Sequence, residues 1–353
     1  MNQPNPFLTE LLQRGASGFA GFAAGLLIER LPDAGGKYPP DAFSSWKVHL
    51  TQRVIELAAA IGAGEPKLFH ARIAWSRKAF LAHDRNVDDL KLSLEVLREV
   101  LMERLPEHVS EDCSLFIDEA VEAFDADSEG LDESFLDPAV PAGKMALQYL
   151  QLVLEGNVSD AIAKVTRAAQ NGMDAAGVYT DVLMPAQREI GRLWHLGDVT
   201  VAEEHLVSFA TQRAMAILAN SAPDVPGNGK TVITAAVAGN IHDIGLRAVA
   251  DLYQIAGWRS IFLGSDVPMR DLPAMLTFFE ADLFLLGAML STHIQKVAET
   301  IQVIRDRCER DVKIIVGGAA FDEAPQLWRR NNSDGYADSI EGAVALGSSL
   351  LKL

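Results

Sequence analysis

Four near-continuous apolar runs in the last third of the chain restrict its fold more than any other feature. Each run has the length of a strand and is followed by an amphipathic segment with helical spacing. The runs cover residues 231–238, 259–264, 281–289 and 312–318, and the amphipathic segments lie near 243–256, 270–280, 293–309 and 339–352. Strands that are apolar on both faces are typical of a parallel sheet with helices on both sides. We therefore predict a flavodoxin-like (Rossmann-like), doubly wound parallel sheet over residues 229–353, with a ligand at the carboxyl ends of its strands.

The residues before this sheet predict helices. Residues 1–125 have apolar positions at helical spacing almost throughout, which indicates an N-terminal helix bundle. Residues 126–143 are acidic and contain Pro138 and Pro141, as expected of a linker. Residues 144–222 predict four short helices interrupted by glycine and asparagine, which is enough for a compact four-helix unit. A chain of 353 residues accommodates these domains.

Composition argues against several classes of partner. The chain has 31 Lys and Arg against 48 Asp and Glu, and its net charge of −17 repels phosphate backbones and anionic membranes. Cys113 and Cys308 lie too far apart in sequence for a metal knuckle and are too few for a disulfide framework. The apolar run at residues 19–28 is about half of the roughly 20 residues that a membrane span needs, and the N-terminus lacks a signal-peptide pattern. We expect a cytoplasmic protein that contacts neither nucleic acid nor membrane directly.

The end of the first strand carries the residues that are best suited to bind a ligand. Asn240, His242 and Gly245 fall at the predicted strand-to-helix turn, where a doubly wound sheet binds its ligands. This turn has neither the GxGxxG nor the GxxxxGK[ST] pattern of the nucleotide-binding loops. The position of His242 alone leaves both a structural role and a metal-binding role open.

The motif Asn240-Ile241-His242-Asp243-Ile244-Gly245, followed by Gly287-Ala288-Met289, Ser291 and Gly317-Gly318, resembles the D-x-H-x-x-G, S-x-L and G-G motifs of the cobalamin-binding domain. The resemblance implies that His242 is the lower axial ligand of cobalt, in place of the displaced dimethylbenzimidazole. It also implies that Gly245 leaves room for the nucleotide tail, that Gly317 and Gly318 line the same cleft, and that Ser291 is a hydroxyl partner for the tail. Since a four-helix cap belongs to the family's layout, the resemblance extends from residue 144 to the end.

The chain departs from this motif at three positions. Asn240 replaces the acidic residue that would orient the imidazole, so the lower ligand loses a carboxylate partner. Gly287 and Met289 replace serine and leucine, which removes one hydroxyl contact to the tail but keeps an apolar one.

A second motif lies in the predicted cap. Trp194, His195, Glu204 and His205 resemble the W-x9-EH signature of the CarH-type, cobalamin-dependent photoreceptors. The resemblance implies that Trp194 and Glu204 pack around an adenosyl group on the upper face. It further implies that His195 binds cobalt after light breaks the Co–C bond, and we take His205 as the second candidate for this role. Without the sheet motif, a core tryptophan and a solvated Glu-His pair would explain the same residues.

The N-terminal bundle in front of such a module resembles the photocobilins, which carry a bilin as second chromophore. His70, Arg72 and Trp75 lie in residues 67–80 and are candidates to pair with propionates and to stack on a tetrapyrrole such as biliverdin. An ordinary amphipathic helix is the alternative explanation of this segment.

We therefore predict a cobalamin-dependent photoreceptor, loaded with adenosyl- or hydroxocobalamin, that converts a light-driven change of the upper cobalt ligand into a conformational or assembly change. Such a protein is a sensor more than an enzyme, and we expect a homo-oligomer that signals to a separate protein. Two alternatives stay open: a corrinoid protein that shuttles methyl groups for a methyltransferase system, and a cobalamin sensor without photochemistry.

Overall fold

The computed structural model describes residues 4–38, 40–124 and 134–353. The chain divides into two compact units, Met1–Glu129 and Gly130–Leu353. Residues 126–133 of the acidic linker predicted at residues 126–143 lie outside the described residues, and its last three residues are helical. A helix begins at Pro141, because proline at the first helical position has the required φ and needs no backbone donor there.

The described part of the N-terminal unit is helical. Its helices are α1 (Pro6–Arg30), α2 (Ala34–Lys37), α3 (Ala42–Ala63), α4 (Pro66–Ala82), α5 (Val87–Arg104) and α6 (Glu107–Glu122). The small residues Ala16, Ala20, Ala23 and Ala24 line the buried side of α1, which allows it to pack closely on α3 and α5. By length and composition alone α1 could cross a membrane, and core helices of soluble proteins meet the same criterion.

A buried ion pair within α3 also bonds to α4. Arg53 bonds to the Glu56 carboxylate at 2.9 Å, and both side chains are almost completely buried. The same guanidinium donates to the Ser76 hydroxyl and to the carbonyl of Arg72 on α4. These additional bonds offset part of the cost of removing two charges from water.

The second unit begins with the four-helix cap. Its helices are α7 (Pro141–Leu154), α8 (Val158–Gln170), α9 (Ala175–Val178), which continues through a π-helical turn (Tyr179–Leu183) into α10 (Met184–His195), and α11 (Val201–Ser221). Thr200 and Glu203 form a reciprocal capping box at the start of α11, as their spacing predicts.

The sheet that follows is parallel and has five strands. They are β1 (Thr231–Ala236), β2 (Arg259–Phe262), β3 (Leu283–Gly287), β4 (Lys313–Gly317) and β5 (Gly335–Ala337), in the order β2-β1-β3-β4-β5. The connecting helices are α12 (Ile244–Ile255), α13 (Leu272–Phe278), α14 (Ile294–Arg307), α15 (Ala319–Asp322), α16 (Leu327–Arg330) and α17 (Ile340–Leu350). The predicted doubly wound fold is confirmed. The strand β5 was missed because three residues with a leading glycine carry no pattern of alternation.

Helix α12 connects the sheet to the cap. Ala248 and Leu252 belong to the apolar core of the cap, whereas Val249 and Tyr253 pack on the sheet. The phenol of Tyr179, in the π-helical turn, donates to the Asp251 carboxylate of α12 at 2.7 Å. The helix that starts next to His242 is therefore bonded to the cap as well as to the strands.

Candidate functional site

The crevice at the carboxyl ends of β1 and β3 is the switch point of the sheet, because β2 lies on one side of β1 and all later strands lie on the other. The side chain of Asn240 organises the loop there. Its carbonyl accepts the backbone N–H of His242 at 3.2 Å, and its amide donates to the carbonyls of Gly287 at 3.3 Å and His242 at 3.4 Å. A carboxylate accepts hydrogen bonds and cannot donate them. The buried amide therefore connects the loop to the end of β3 in a way that an acidic residue could not.

The imidazole of His242 is exposed on this loop. Gly245 lies in the first turn of α12, and a Cβ at this position would meet no atom within 4 Å. The neighbouring Ile241 is 75% exposed and Met289, after β3, is also exposed. The loop thus presents a nitrogen ligand among apolar surfaces with open space beside it.

The glycines after β3 and β4 have a structural explanation. A Cβ on Gly287 would collide with the side chain of Leu246, and one on Gly318 would collide with the carbonyl of Ala288. Gly318 also has φ near +100°, a conformation that other residues rarely adopt. A side-chain contact at Gly287 and a backbone contact at Gly318 account for these two glycines, and the predicted lining of a cofactor cleft by Gly317 and Gly318 stays a prediction.

The sequence did not point to His293 and Lys296, which the structure places near the His242 loop. His293 is buried in the 3-10 turn Ser291–His293, and its pKa is lowered by burial and by the positive charges of Lys296 and His242. Lys296 donates to the carbonyl of Ala238 at 3.2 Å. A Ser-Thr-His turn directly after an apolar strand is the signal that could have indicated this second imidazole.

Two buried hydroxyl groups have no hydrogen-bond partner within the described ranges of the chain. One belongs to Ser291 and the other to Thr234, in the middle of β1. Buried polar groups are nearly always paired in folded proteins, so these two hydroxyls are candidates to bind a ligand.

The cap presents the second motif at the junction of α10 and α11. Trp194 is 41% exposed at the end of α10, and Glu204 lies in the first turn of α11, where the helix dipole favours a carboxylate. Glu204 is bonded at 2.7 Å to Nδ1 of His205 and accepts the hydroxyl of Ser208 at 2.6 Å. His195 is only 6% exposed, so the predicted upper ligand does not share the exposed surface of Trp194.

Behind Glu204, a chain of polar groups leads into the core of the cap. The Ser208 hydroxyl lies 3.2 Å from Oε1 of Gln187, whose amide nitrogen donates to the Thr211 hydroxyl at 2.7 Å. The phenol of the buried Tyr149 on α7 lies 2.9 Å from the same Thr211 oxygen, and burial raises the pKa of this phenol to about 12. Spacing within α11 could have indicated Ser208 and Thr211, but not their partners on α10 and α7.

The three residues of the predicted bilin site all lie on α4. The guanidinium of Arg72 lies 5.9 Å from the ring centre of Trp75. His70 is displaced from Trp75 by roughly 140° around the helix axis, at 100° per residue. The described structure thus brings Arg72 and Trp75 together, and bilin binding stays a prediction.

These residues fit a corrinoid. In the described part of the chain no three His, Cys, Asp or Glu side chains converge to hold a bare metal ion. A corrin ring supplies four nitrogens itself, so cobalt in cobalamin requires a single protein nitrogen, for which imidazole is well suited. The exposed imidazole of His242, the apolar surface beside it and the unpaired hydroxyl of Thr234 match a bulky cofactor with apolar and polar parts.

Comparison with known protein families agrees with this fit. Residues 146–219 and 230–346 each match a family model described as a B12 binding domain, which together cover the cap and the sheet. The C-terminal unit is thus a cobalamin-binding module, and the predicted cofactor class is confirmed.

Two curated relatives and one solved structure indicate which cobalamin-binding proteins this chain resembles. A dimethylamine corrinoid protein of Methanosarcina barkeri is 26% identical over 209 residues, which are 58% of this chain and 97% of that protein. A corrinoid protein of Desulfitobacterium hafniense is 25% identical over 211 residues, 57% of this chain and 94% of that protein. The solved structure of the Methanosarcina barkeri monomethylamine corrinoid protein covers 59% of this chain and 98% of its own, with 18% identity and a TM-score of 0.52, a likeness of fold. These relatives are corrinoid proteins, and the photoreceptor resemblance stays a prediction.

Proposed function

We propose that this protein is a corrinoid protein that holds cobalamin with His242 as the lower cobalt ligand and carries a methyl group for partner methyltransferases. The observation that carries the proposal is the exposed imidazole at the end of β1, on a loop held by Asn240 and next to a four-helix cap. The relatives support the carrier role, because corrinoid proteins align with this chain over nearly their whole length.

Each residue of the loop has a separate task in this proposal. Asn240 holds the backbone of His242, so that the imidazole can be presented with little loss of conformational freedom on binding. Gly245 leaves space for the displaced nucleotide. Bound cobalamin would supply a cobalt centre that accepts and releases an alkyl group.

The uncharged Asn240 changes the control of the lower ligand. A carboxylate beside a metal-bound histidine raises its basicity and can share a proton with it, whereas an amide cannot take up the proton. A second imidazole, that of His293, lies near the same loop and has the positively charged Lys296 as a neighbour. We therefore expect lower-ligand binding in this protein to depend less on proton transfer than it does where the motif keeps its acid.

A second candidate function, light sensing, is favoured by the arrangement of Trp194 and Glu204. The tryptophan is exposed at the end of α10, and the carboxylate is held by His205 and Ser208, although neither is needed for a bare methyl group. An aromatic ring and an oriented acceptor suit a larger upper group that carries hydroxyl or amino donors. An adenosyl group has both.

The first experiment tests the lower ligand. The full chain is loaded with hydroxocobalamin, and absorption spectra and cofactor retention during dialysis are measured for the wild type, His242→Ala and His83→Ala. The last variant removes an exposed histidine of the N-terminal unit and is the matched control. We expect His242→Ala to change the spectrum and to release cobalamin faster, and His83→Ala to behave as the wild type. An unchanged spectrum and unchanged retention in His242→Ala would overturn the ligand assignment.

The second experiment separates the two functions. Methylcobalamin-loaded protein is mixed with an alkylthiol, and methyl transfer is compared with that from free methylcobalamin. In parallel, adenosylcobalamin-loaded protein is illuminated, and its mass in solution and amide exchange in the cap are measured. Faster methyl transfer without a light effect supports the carrier. A change of mass or of cap exchange on illumination, without accelerated transfer, supports the light sensor.

A further inference from the structure

The buried hydroxyl of Thr234 points into an apolar layer between the sheet and α12. Thr234 is fully buried. Because side chains alternate between the two faces of a strand, Thr234 lies on the same face of β1 as Val232 and on the opposite face from Ile233. Val232 belongs to the cluster that also contains Val249 and Tyr253 of α12. On the neighbouring strands Thr234 is paired with Phe262 and Leu285.

Nothing in the described ranges of the structure bonds to this hydroxyl. Valine has nearly the same shape and would avoid the cost of an unpaired polar group in this layer. A hydroxyl at this position is therefore better explained by a ligand that reaches the layer than by packing.

A flexible side chain at the start of α12 agrees with a ligand on this face. Gly287 lies on the same face of β3 as Leu285. Because glycine has no side chain, the side chain of Leu246, from the first turn of α12, occupies the space beside it. Next to Leu246 is Gly245, which has open space around it. The first turn of α12 thus meets this layer through the flexible side chain of Leu246, which can move to make room for a ligand.

The chemistry of the cofactor identifies the group that requires a donor. In free cobalamin a ring nitrogen of the benzimidazole base occupies the lower position of cobalt. When His242 takes this position, the base is released with a flat apolar ring and one acceptor nitrogen. A hydroxyl donor in an otherwise apolar slot is the complement of such a group.

We propose that Thr234 donates its hydrogen bond to the released ring nitrogen and thereby selects corrinoids whose lower base has such a nitrogen. The proposal rests on the proposed function, since the base is released only when His242 binds cobalt. The proposal places the hydroxyl donor on β1, whereas the family motif has a serine at the position of Gly287 on β3.

The test separates the nucleotide from the corrin ring. Dissociation constants are measured by absorbance titration for hydroxocobalamin and for cobinamide, which lacks the nucleotide, with the wild type, Thr234→Val and Ser291→Ala. The Ser291 variant removes the other buried unpaired hydroxyl, which is the competing candidate for the contact to the tail. We expect Thr234→Val to weaken cobalamin binding about tenfold and to change cobinamide binding less than about twofold, which is the effect of one lost hydrogen bond. Because valine removes an unpaired polar group, the unloaded variant should melt at the same or a higher temperature than the wild type.

Three results would overturn the inference. Equal weakening of both ligands would indicate a general distortion of the site, unchanged cobalamin binding would leave the hydroxyl without a role, and selective weakening in Ser291→Ala would place the contact there. A corrinoid with a phenolic base, which lacks the ring nitrogen, should bind equally well to the wild type and to Thr234→Val. If the wild type retains no cobalamin, the proposed function itself fails. If His242 binds cobalt but Thr234→Val has no effect, this inference alone fails.

Discussion

The hydroxyl of Ser208 donates a hydrogen bond to the Glu204 carboxylate at 2.6 Å, one turn apart on α11. A short bond to a charged acceptor is stronger than one between neutral groups. The hydroxyl has a single hydrogen, so Oε1 of Gln187, 3.2 Å away, competes with Glu204 for the same donor, and the contacts from Gln187 to Thr211 and Tyr149 are separate from this bond. The carboxylate is therefore held by residues of its own helix, Ser208 and His205.

Replacing Ser208 by alanine should release Glu204 from this orientation. Since Glu204 is partly exposed, water can replace the lost donor, and we expect a stability loss below about 1 kcal/mol. The dissociation rate of adenosylcobalamin should rise more than that of methylcobalamin, because a methyl group offers no donor to the carboxylate. Stopped-flow displacement measures both rates, with Ser221→Ala as the control, whose hydroxyl bonds to a carbonyl of its own helix. Equal acceleration for both cofactors would contradict the assigned role of Glu204.

The bond between Tyr179 and Asp251 predicts a pH dependence of stability. Burial raises the pKa of Asp251 above its ordinary value, and the hydrogen bond from Tyr179 and the charge of Arg247 compensate this only in part. The folded state thus holds the proton more tightly than the unfolded chain. The contribution of Asp251 to stability is therefore most favourable below the unfolded pKa and is lost as the pH rises through the folded pKa.

Two variants test this link in urea unfolding across mildly acidic to mildly alkaline pH. Asp251→Asn should flatten the dependence and be at least as stable as the wild type at neutral pH, because an amide can still accept from Tyr179. Tyr179→Phe should cost about 1–3 kcal/mol at neutral pH, since it leaves a half-buried carboxylate without its donor. A wild type and an Asp251→Asn variant with parallel profiles would refute the assignment.

Alanine at two glycines should have opposite effects. At Gly245 a Cβ meets open space on a helix, so we expect unchanged or slightly higher stability without cobalamin, by up to about 1 kcal/mol, together with weaker cobalamin binding. At Gly318 the Cβ collides with the Ala288 carbonyl at a positive φ, and we expect a loss of about 1–3 kcal/mol or more. Thermal melts and cofactor titrations of both variants measure these effects. Unimpaired binding by Gly245→Ala would show that the tail does not pass this glycine.

His195 is the residue on which the light-sensing candidate depends most. Its burial means that binding to cobalt after photolysis requires the end of α10 to move, which would convert a ligand change into a change of the cap. We expect illuminated adenosylcobalamin-loaded His195→Ala to give a photoproduct spectrum that differs from the wild type. His205→Ala, on an exposed side chain, should match the wild type. The same photoproduct in all three proteins would exclude both histidines as the upper ligand.

Much of the fold could be predicted from local sequence. Strands β1, β3 and β4 are largely apolar because both faces of the sheet are covered there, and such runs are visible without a structure. The turn after β1 and the capping box of Thr200 and Glu203 depend on neighbours within a few residues, and both could be read from spacing. Strand β5 could not, because its residues pair through their backbone with β4 and carry little pattern of their own.

The candidate site, like the fold, was determined in part by the sequence and in part by the tertiary structure. The sequence by itself determined that an imidazole and a glycine stand at the carboxyl end of β1, since residue type and topology suffice to place them. Only the tertiary structure decided which polar groups are satisfied: that Asn240 reaches Gly287 across 47 positions, that Tyr149 meets Thr211 across 62, and that the hydroxyl of Thr234 has no partner in the described chain. Hydrogen-bond partners from distant elements leave no periodic trace in the sequence, because each one is set by the packing of two elements that the chain brings together only on folding.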